Sequence, residues 1–519
     1  MHINRLLRRA ARIAPRGIAI DGEDRIRTWP QVYERASRLA GAYRAEGLGA
    51  GDRIAILAHN CGRYLEAIFS VSLLGGVLVP LNTRLSQGEL AHCAGHAAVG
   101  ALLVDAEHLD RGRQLCREVG GAVRLIVIGS RPAAAELSFE DLAQAPALPE
   151  TQAERSDDLA GIFYTGGTTG TPKGAMLTHG NLVANALNLQ PHFRFSPETR
   201  CLHAAAMFHI AESLSIFGVT MAGGQHLFIP KFDPLGFMEA VEQRQATFSG
   251  LVPTMLKRIV DHERFGEHDL SSLQALFYGG SPILESDMRR AAAALPHVAL
   301  HQGYGLTETS PTITILGPEH HPRGDTGGGK AASAGQQVFG VDVSIRDDDG
   351  GELAAGRDGE IWVRGSTVSS GYWRDPAATG AAFRDGWFRT GDVGHFDEDG
   401  FLYVVDRVKD MIISGGENVY SIEVENVIAA HPDVLECAVI GVPDPDWGER
   451  VHAVIRLRRG ADVAGLREHC RGRLAPYKCP KTMDFVVDPL PLSAVGKISK
   501  QELKARLSRQ TKQEEGSTA

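Results

Sequence analysis

Thr165-Gly166-Gly167-Thr168-Thr169-Gly170-Thr171-Pro172-Lys173-Gly174 is the stretch on which the reading of this chain turns. An apolar run, Leu159 to Tyr164, leads into it, and apolar residues at helical spacing (Leu182, Val183, Ala186, Leu187) follow it. The pattern predicts a loop between a strand and a helix. Its glycines relax the backbone enough for successive N–H groups to converge on an anion, its threonines add hydroxyl donors, and Lys173 adds a positive charge. Such a loop suits a polyphosphate. It is not a Walker A loop, which needs Lys directly after Gly and then Ser or Thr, because Pro172 precedes Lys173 and Gly174 follows it.

A chain of 519 residues exceeds what one hydrophobic core organises, so two or more domains are expected. With 43% hydrophobic and 23% charged residues the composition is that of a globular enzyme, and a net charge of -9 argues against a nucleic-acid-coating surface. The seven cysteines are scattered and form no CxxC pair, which fits a reducing compartment and no zinc site. Met1 to Ile20 is rich in arginine but lacks the apolar core of a signal peptide. Ile3, Leu6, Leu7 and Ala10 recur at helical spacing and predict a helix packed on its own domain, the alternative being a basic helix lying on a membrane. The apolar stretch Leu65 to Leu81 is broken by Glu66, Gly75-Gly76 and Pro80, so no integral membrane segment is expected. The expectation is a cytoplasmic protein.

From about residue 50 to 310, apolar strand-like runs alternate with helix-period segments: Asp52 to Leu57 then Tyr64 to Leu74, Gln225 to Ile229 then Leu235 to Gln243, Leu273 to Tyr278 then Ile283 to Leu295. That alternation predicts an α/β fold of layered, largely parallel sheets. Between about 335 and 405, Gln337 to Arg346, Glu360 to Arg364 and Gly400 to Val405 are separated by Asp/Gly clusters and read as antiparallel strands, a β-barrel-like part. After Arg407 a small α+β unit follows, with a helix around Ser421 to Ala430 and strands Leu435 to Gly441 and Val451 to Leu457. The expected division is a large domain over 1–406 and a small mobile domain over 407–519.

Gly303-Tyr304-Gly305-Leu306-Thr307-Glu308-Thr309 is a second candidate site element, placed at a turn after a strand ending in Leu300. Gly303 and Gly305 permit close backbone approach, Tyr304 offers a flat face for a nucleobase, Thr307 a phosphate donor and Glu308 a hard oxygen ligand for Mg²⁺. Two look-alikes fall away. Gly324 to Lys330 fits GxxxxGK, but Ala331 stands where a hydroxyl is needed, and the histidines show no HExxH or other metal spacing.

Together these stretches resemble the adenylate-forming superfamily of acyl- and aryl-CoA synthetases, luciferases and peptide-synthetase adenylation domains. The phosphate loop departs from the family form at Gly166, where Ser is usual; the second signature matches at every motif position. Trp387-Phe388-Arg389-Thr390-Gly391-Asp392, Asp406-Arg407-Val408-Lys409-Asp410, Ser414-Gly415-Gly416-Glu417 and Pro491-Leu492-Ser493-Ala494-Val495-Gly496-Lys497 follow in the family order. The resemblance implies that Thr165, Gly166, Gly167, Thr168, Thr169, Gly170 and Lys173 hold phosphates, Tyr304 stacks on adenine, Thr307 meets the α-phosphate and Glu308 helps hold the metal. Asp392 and Arg407 would bind ribose, Lys497 would drive adenylation, and Gly415-Gly416 would form the passage for pantetheine with Trp447 near the CoA nucleotide. Lys409 would be the hinge. His209, in Met207-Phe208-His209-Ile210, resembles the residue lining the path to the carboxylate, with Tyr278, Gly279, Gly280 and Ser281 as further acyl-pocket candidates.

The implied activity is acid–CoA ligation with ATP, Mg²⁺ and coenzyme A, on a medium- or long-chain fatty acid, or alternatively an aromatic acid. A homodimer is compatible with it. Two rivals stay open: an adenylation enzyme loading a carrier protein, or a luciferase-like oxygenase; and a nucleotide sensor without catalysis. Glu212, three residues after His209, is the polar member of an otherwise apolar pocket set and could meet a polar substrate group.

Overall fold

The computed structural model describes residues 1–22, 25–120, 123–130, 132–134, 136–149, 154–165, 172–322, 329–414, 417–458, 463–492 and 498–517. Four sheets carry the fold. A nine-stranded sheet has at its centre the parallel strands Gln225–Phe228, Arg200–His203, Phe248–Leu251, Ala275–Gly279 and Ala299–Tyr304, in that spatial order. A seven-stranded sheet is parallel through Arg124–Ile128, Ala101–Asp105, Arg53–Leu57, Val77–Pro80 and Leu159–Thr165. Helices such as Gly62–Leu74, Ile210–Ala222 and Pro234–Arg244 pack on these sheets, as the alternation of strand-like and helical segments predicts. The arginine-rich N-terminal helix Ile3–Ile13 buries Ile3, Leu6, Leu7 and Ala10 and packs against Trp29–Ala45, Gly62–Leu74 and Ile210–Ala222. Its apolar stripe is therefore used inside the fold, and among the described residues no helix is long and apolar enough to cross a membrane.

The two remaining sheets are five-stranded. One joins Val341–Arg346, Gly359–Gly365, Trp387–Phe396 and Leu402–Arg407 antiparallel, and the other forms the small C-terminal unit from Ile412–Ser414 to Thr482–Val486. The whole is an α/β fold with a large N-terminal and a small C-terminal domain.

Two local readings are corrected. The glycine-rich stretch lies not between a strand and a helix but between two strands: Leu159–Thr165 pairs antiparallel with Lys173–Thr178, Thr165 facing Lys173, and the helix starts only at His179. The pairing is close enough to need glycine at 174, where a Cβ would stand 2.6 Å from the Ile162 side chain. Likewise the strand expected to end at Leu300 runs on through Tyr304, carrying the start of the second signature inside the sheet. Close approach explains it: a Cβ on Gly305 would fall 1.6 Å from the Pro311 carbonyl oxygen, and one on Gly279 2.3 Å from the Gly303 carbonyl oxygen.

Gly305→Ala should therefore force backbone displacement and cost about 1–3 kcal/mol of stability, read as a lowered midpoint in urea unfolding. An unchanged midpoint would mean that the backbone at Pro311 does not sit against Gly305.

Candidate active site

The C-terminal end of the Ala299–Tyr304 strand meets the antiparallel sheet at one carboxylate. Asp392 lies on Trp387–Phe396, directly opposite Arg407 on Leu402–Arg407. The Tyr304 hydroxyl donates to Asp392 Oδ2 at 2.8 Å, and Arg407 Nε stands 3.0 Å from Oδ1. The Asp392 N–H donates to Thr390 Oγ1 at 3.0 Å, fixing the strand where its carboxylate turns inward. Burial, with Asp392 beside it, pushes the Tyr304 phenol well above its ordinary pKa, so it remains a donor. Thr307 and Glu308 follow in a short 3-10 turn, Thr307–Thr309. Glu308 is buried, its Oε1 accepts a 2.8 Å hydrogen bond from the Tyr372 hydroxyl, and Lys173 Nζ lies 5.4 Å from the centre of the Tyr372 ring. Burial raises the Glu308 carboxyl pKa, only partly offset by the Tyr372 hydrogen bond. A desolvated carboxylate held by a neutral phenol suits a hard cation better than it suits isolation.

Residues 7–373 match the AMP-binding enzyme family and residues 423–497 match the AMP-binding enzyme C-terminal domain. A feruloyl-CoA synthase of Amycolatopsis sp is 40% identical over 502 residues, covering 96% of this chain and 97% of that protein. A long-chain-fatty-acid–CoA ligase of Mycobacterium tuberculosis is 33% identical over 513 residues, covering 98% and 99%. Among solved structures, the amide bond synthetase McbA of Marinactinospora thermotolerans superposes with a TM-score of 0.88 at 31% identity, covering 97% of this chain and 99% of that one. This chain belongs to the AMP-binding, adenylate-forming enzymes. It is an acid–thiol ligase of their acyl-CoA synthetase branch.

Eight of the ligase's expected site residues, Gly166, Gly167, Thr168, Thr169, Gly170, Gly415, Gly416 and Lys497, lie outside the described residues. Their flanks are placed. Thr165 pairs with Lys173, Ser414 with Glu417, and Leu492 with Ile498, so the two flanks of each motif lie side by side. Trp447 sits far along the small unit at the turn into Gly448–Leu457, 44% exposed, with Lys481 Nζ 4.6 Å over its ring. Lys409 is exposed in the turn after Arg407.

His209 precedes the Ile210–Ala222 helix and lines an apolar cavity with Ile68, Leu78, Phe163, Leu182 and Phe217. Gly279, Gly280 and Ser281 follow at the end of the neighbouring Ala275–Gly279 strand, Gly280 at φ +81°. Tyr278 does not join them: fully buried on the opposite face, it points into the core under Pro234–Arg244 and Pro253–Val260, and its hydroxyl meets His321 Nε2 at 2.9 Å. Strand alternation puts Phe277 and Gly279 on the other face, where Phe277 packs in a core with Phe195 and Phe248. Glu212 is also engaged, its Oε2 2.7 Å from His203 Nδ1. Tyr372 and His203 carry no motif spacing, and only the folded chain brings them to Glu308 and Glu212. Of the look-alikes, Lys330 Nζ is held by Asp397 and Asp399 at 2.6 Å each. His59, Glu107 and His108 stand close enough to share a metal ion, but Glu107 also pairs with Lys231 and His108 with Asp105.

The raised Glu308 pKa fixes a sign. A carboxyl that binds its proton more tightly folded than unfolded stabilises the fold below its unfolded pKa and loses that contribution as pH rises through the folded value. In the absence of nucleotide and divalent cation, Glu308→Gln should raise the melting temperature at about pH 8, and the gain should shrink toward about pH 5. A gain that grows on acidification would contradict the assignment.

Proposed function

We propose that the enzyme activates an aromatic carboxylic acid with ATP and transfers the acyl group to CoA. The observation that carries this reading is Asp392 held between Tyr304 and Arg407 beside buried Glu308. A carboxylate that can accept about four hydrogen bonds suits the two ribose hydroxyls, and the face of Tyr304 suits adenine. Thr165 and Lys173, at the neck of the glycine-rich loop, would hold the β- and γ-phosphates, and Thr307 the α-phosphate. Glu308 would hold Mg²⁺, whose charge would neutralise the phosphates when bound. In the first step a carboxylate oxygen of the acid attacks the α-phosphorus and pyrophosphate leaves. Lys497 would place its ammonium where negative charge gathers in that transition state. In the second, the CoA thiolate, entering past Gly415-Gly416 with Trp447 near its nucleotide, attacks the acyl carbonyl and AMP leaves.

The preference for an aromatic over a fatty acid is supported by the 40% identity to a feruloyl-CoA synthase against 33% to a fatty-acid ligase. The face of the sheet that carries Gly250 and Phe277 supports it too. Phe277 packs among Phe193, Phe195 and Phe248, and the buried Glu212–His203 pair stands behind Gly250. An extending alkyl chain would press methylenes on buried charge. The fatty-acid reading keeps the 33% relative in its favour.

We place the domain boundary at 406/407 and the pivot at Lys409. Asp406 spans that pivot: its Oδ2 accepts from both the backbone N–H and the hydroxyl of Ser421, at 2.5 and 2.7 Å, at the start of the Ser421–Ala429 helix. Rotation of the small domain between steps would break these bonds.

The two half-reactions test the assignment together. Lys497→Ala should slow acid-dependent pyrophosphate release by at least about 100-fold while sparing thioester formation from supplied acyl-adenylate. Lys409→Pro, which fixes φ near about -65°, should do the reverse. Equal losses in both steps for either variant would remove it from its role.

A further inference from the structure

One helical turn beyond His209 starts a chain of buried polar groups. Glu212 Oε2 lies 2.7 Å from His203 Nδ1, His203 Nε2 lies 2.8 Å from His226 Nδ1, and His226 Nε2 lies 3.2 Å from Thr220 Oγ1. The four residues are at most 2% exposed. Burial opposes charge on His203, but Cys201 and Glu212 outweigh it and raise its pKa to about 10. Burial and His203 together hold His226 well below its ordinary value. The hydrogen bonds then have one direction. Protonated His203 donates to Glu212 and to His226, and neutral His226 donates onward to Thr220. Every imidazole nitrogen in the chain is used.

One atom is not. Glu212 Oε1 is buried and has no hydrogen-bond partner among the described residues. Buried acceptors are nearly always satisfied, so an unmet carboxylate oxygen calls for a donor. Opposite it stands Gly250, in register between His203 of the Arg200–His203 strand and Phe277 of the Ala275–Gly279 strand. A Cβ on Gly250 would point at Glu212 Oε1, 3.9 Å away, and at Ser215 Oγ, 3.6 Å away. Among the described residues no other heavy atom beyond its chain neighbours lies within 4 Å of that position. The missing side chain therefore leaves a notch in front of the unmet oxygen, and Gly250 itself is not fully buried. Glu212 follows His209 by one helical turn, its N–H donating to the His209 carbonyl at 3.1 Å.

We propose that Glu212 Oε1, reached through the Gly250 notch, is the acceptor for a hydrogen-bond donor on the distal end of the acid: a phenolic O–H or a ring or aniline N–H. The inference rests on the aromatic reading above and narrows it. His203 already balances the carboxylate's charge, so a neutral donor completes the site where a cation would add unbalanced buried charge. A methyl or methoxy group in the same place would exclude water and leave Oε1 unmet, the situation in which sites built around a hydrogen bond reject their isosteres most strongly. The Thr220 hydroxyl, at the far end of the chain, serves His226 and not this oxygen.

The test is acid-dependent pyrophosphate release with matched pairs: 4-hydroxycinnamate against 4-methylcinnamate, and indole-3-acetate against its N-methyl derivative. The parent enzyme should prefer the donor-bearing member of a pair by about 100-fold or more in kcat/KM, mainly through KM because the donor lies away from the reacting carboxylate. Gly250→Ala fills the notch at van der Waals distance from Glu212 Oε1, leaving the Glu212–His203 hydrogen bond in place, and should erase the preference while leaving the KM for ATP unchanged. Glu212→Leu combined with His203→Phe should bring the pairs within about threefold, since the donor then loses its acceptor. A parent that turns over both members alike overturns the inference and leaves the aromatic reading standing. A parent active only on fatty acids overturns both. A preference that survives in either variant, with a cooperative melt showing that it folds, also overturns it.

Discussion

The carboxylate of Asp392, shared between the Tyr304 hydroxyl and the Arg407 guanidinium, is the contact on which the site depends. Each partner comes from a different part of the fold: Tyr304 from the end of the parallel sheet, Asp392 from the middle of the antiparallel sheet, Arg407 from the strand that leads into the small domain. Asp392 is only 4% exposed, so losing Arg407 would leave a buried carboxylate without compensation. The three elements are thereby held in one register. Arg407, more open, ends its strand just before the turn carrying Lys409. A single buried charge thus ties the end of the parallel sheet to the antiparallel sheet and to that turn.

The sheet around Gly279 is built differently. Alternation decides which face each residue takes: Phe277 and Gly279 lie on one face, Tyr278 is committed to the core on the other, and glycines at 279 and 303 let the two strands close to backbone distance. The Glu212–His203–His226 chain is buried beside it, each imidazole nitrogen paired and Glu212 Oε1 alone left unmet.

Much of this is legible in the sequence because it is written locally. Spacing alone predicts the N-terminal helix from Ile3, Leu6, Leu7 and Ala10, and alternation of apolar runs predicts the parallel layers. The signature stretches mark Tyr304, Glu308, Asp392 and Arg407, which the fold does bring together. What the sequence hides is non-local. Lys173 to Thr178 gives no clear two-residue period, since Gly174 and Ala175 are both buried, so the second strand of the hairpin is not visible there. Tyr372 reaches Glu308 across 64 positions and His203 reaches Glu212 from a strand to a helix, and neither pairing leaves a trace in the order of residues. Tyr278 reads as a pocket residue in the sequence and is a core residue in the fold for the same reason: proximity to Gly279 along the chain does not fix the face on which a strand residue points.

The most direct measurement is calorimetric titration of the enzyme with AMP and with 2′,3′-dideoxy-AMP, in the parent and in Asp392→Ala. If Asp392, braced by Tyr304 and Arg407, accepts the ribose hydroxyls, the parent should bind AMP at least about tenfold more tightly than the dideoxy nucleotide, as expected for hydrogen bonds to a charged group. The variant should bind the two nearly alike. A parent that does not distinguish them, or a variant that keeps the full difference, would contradict the account.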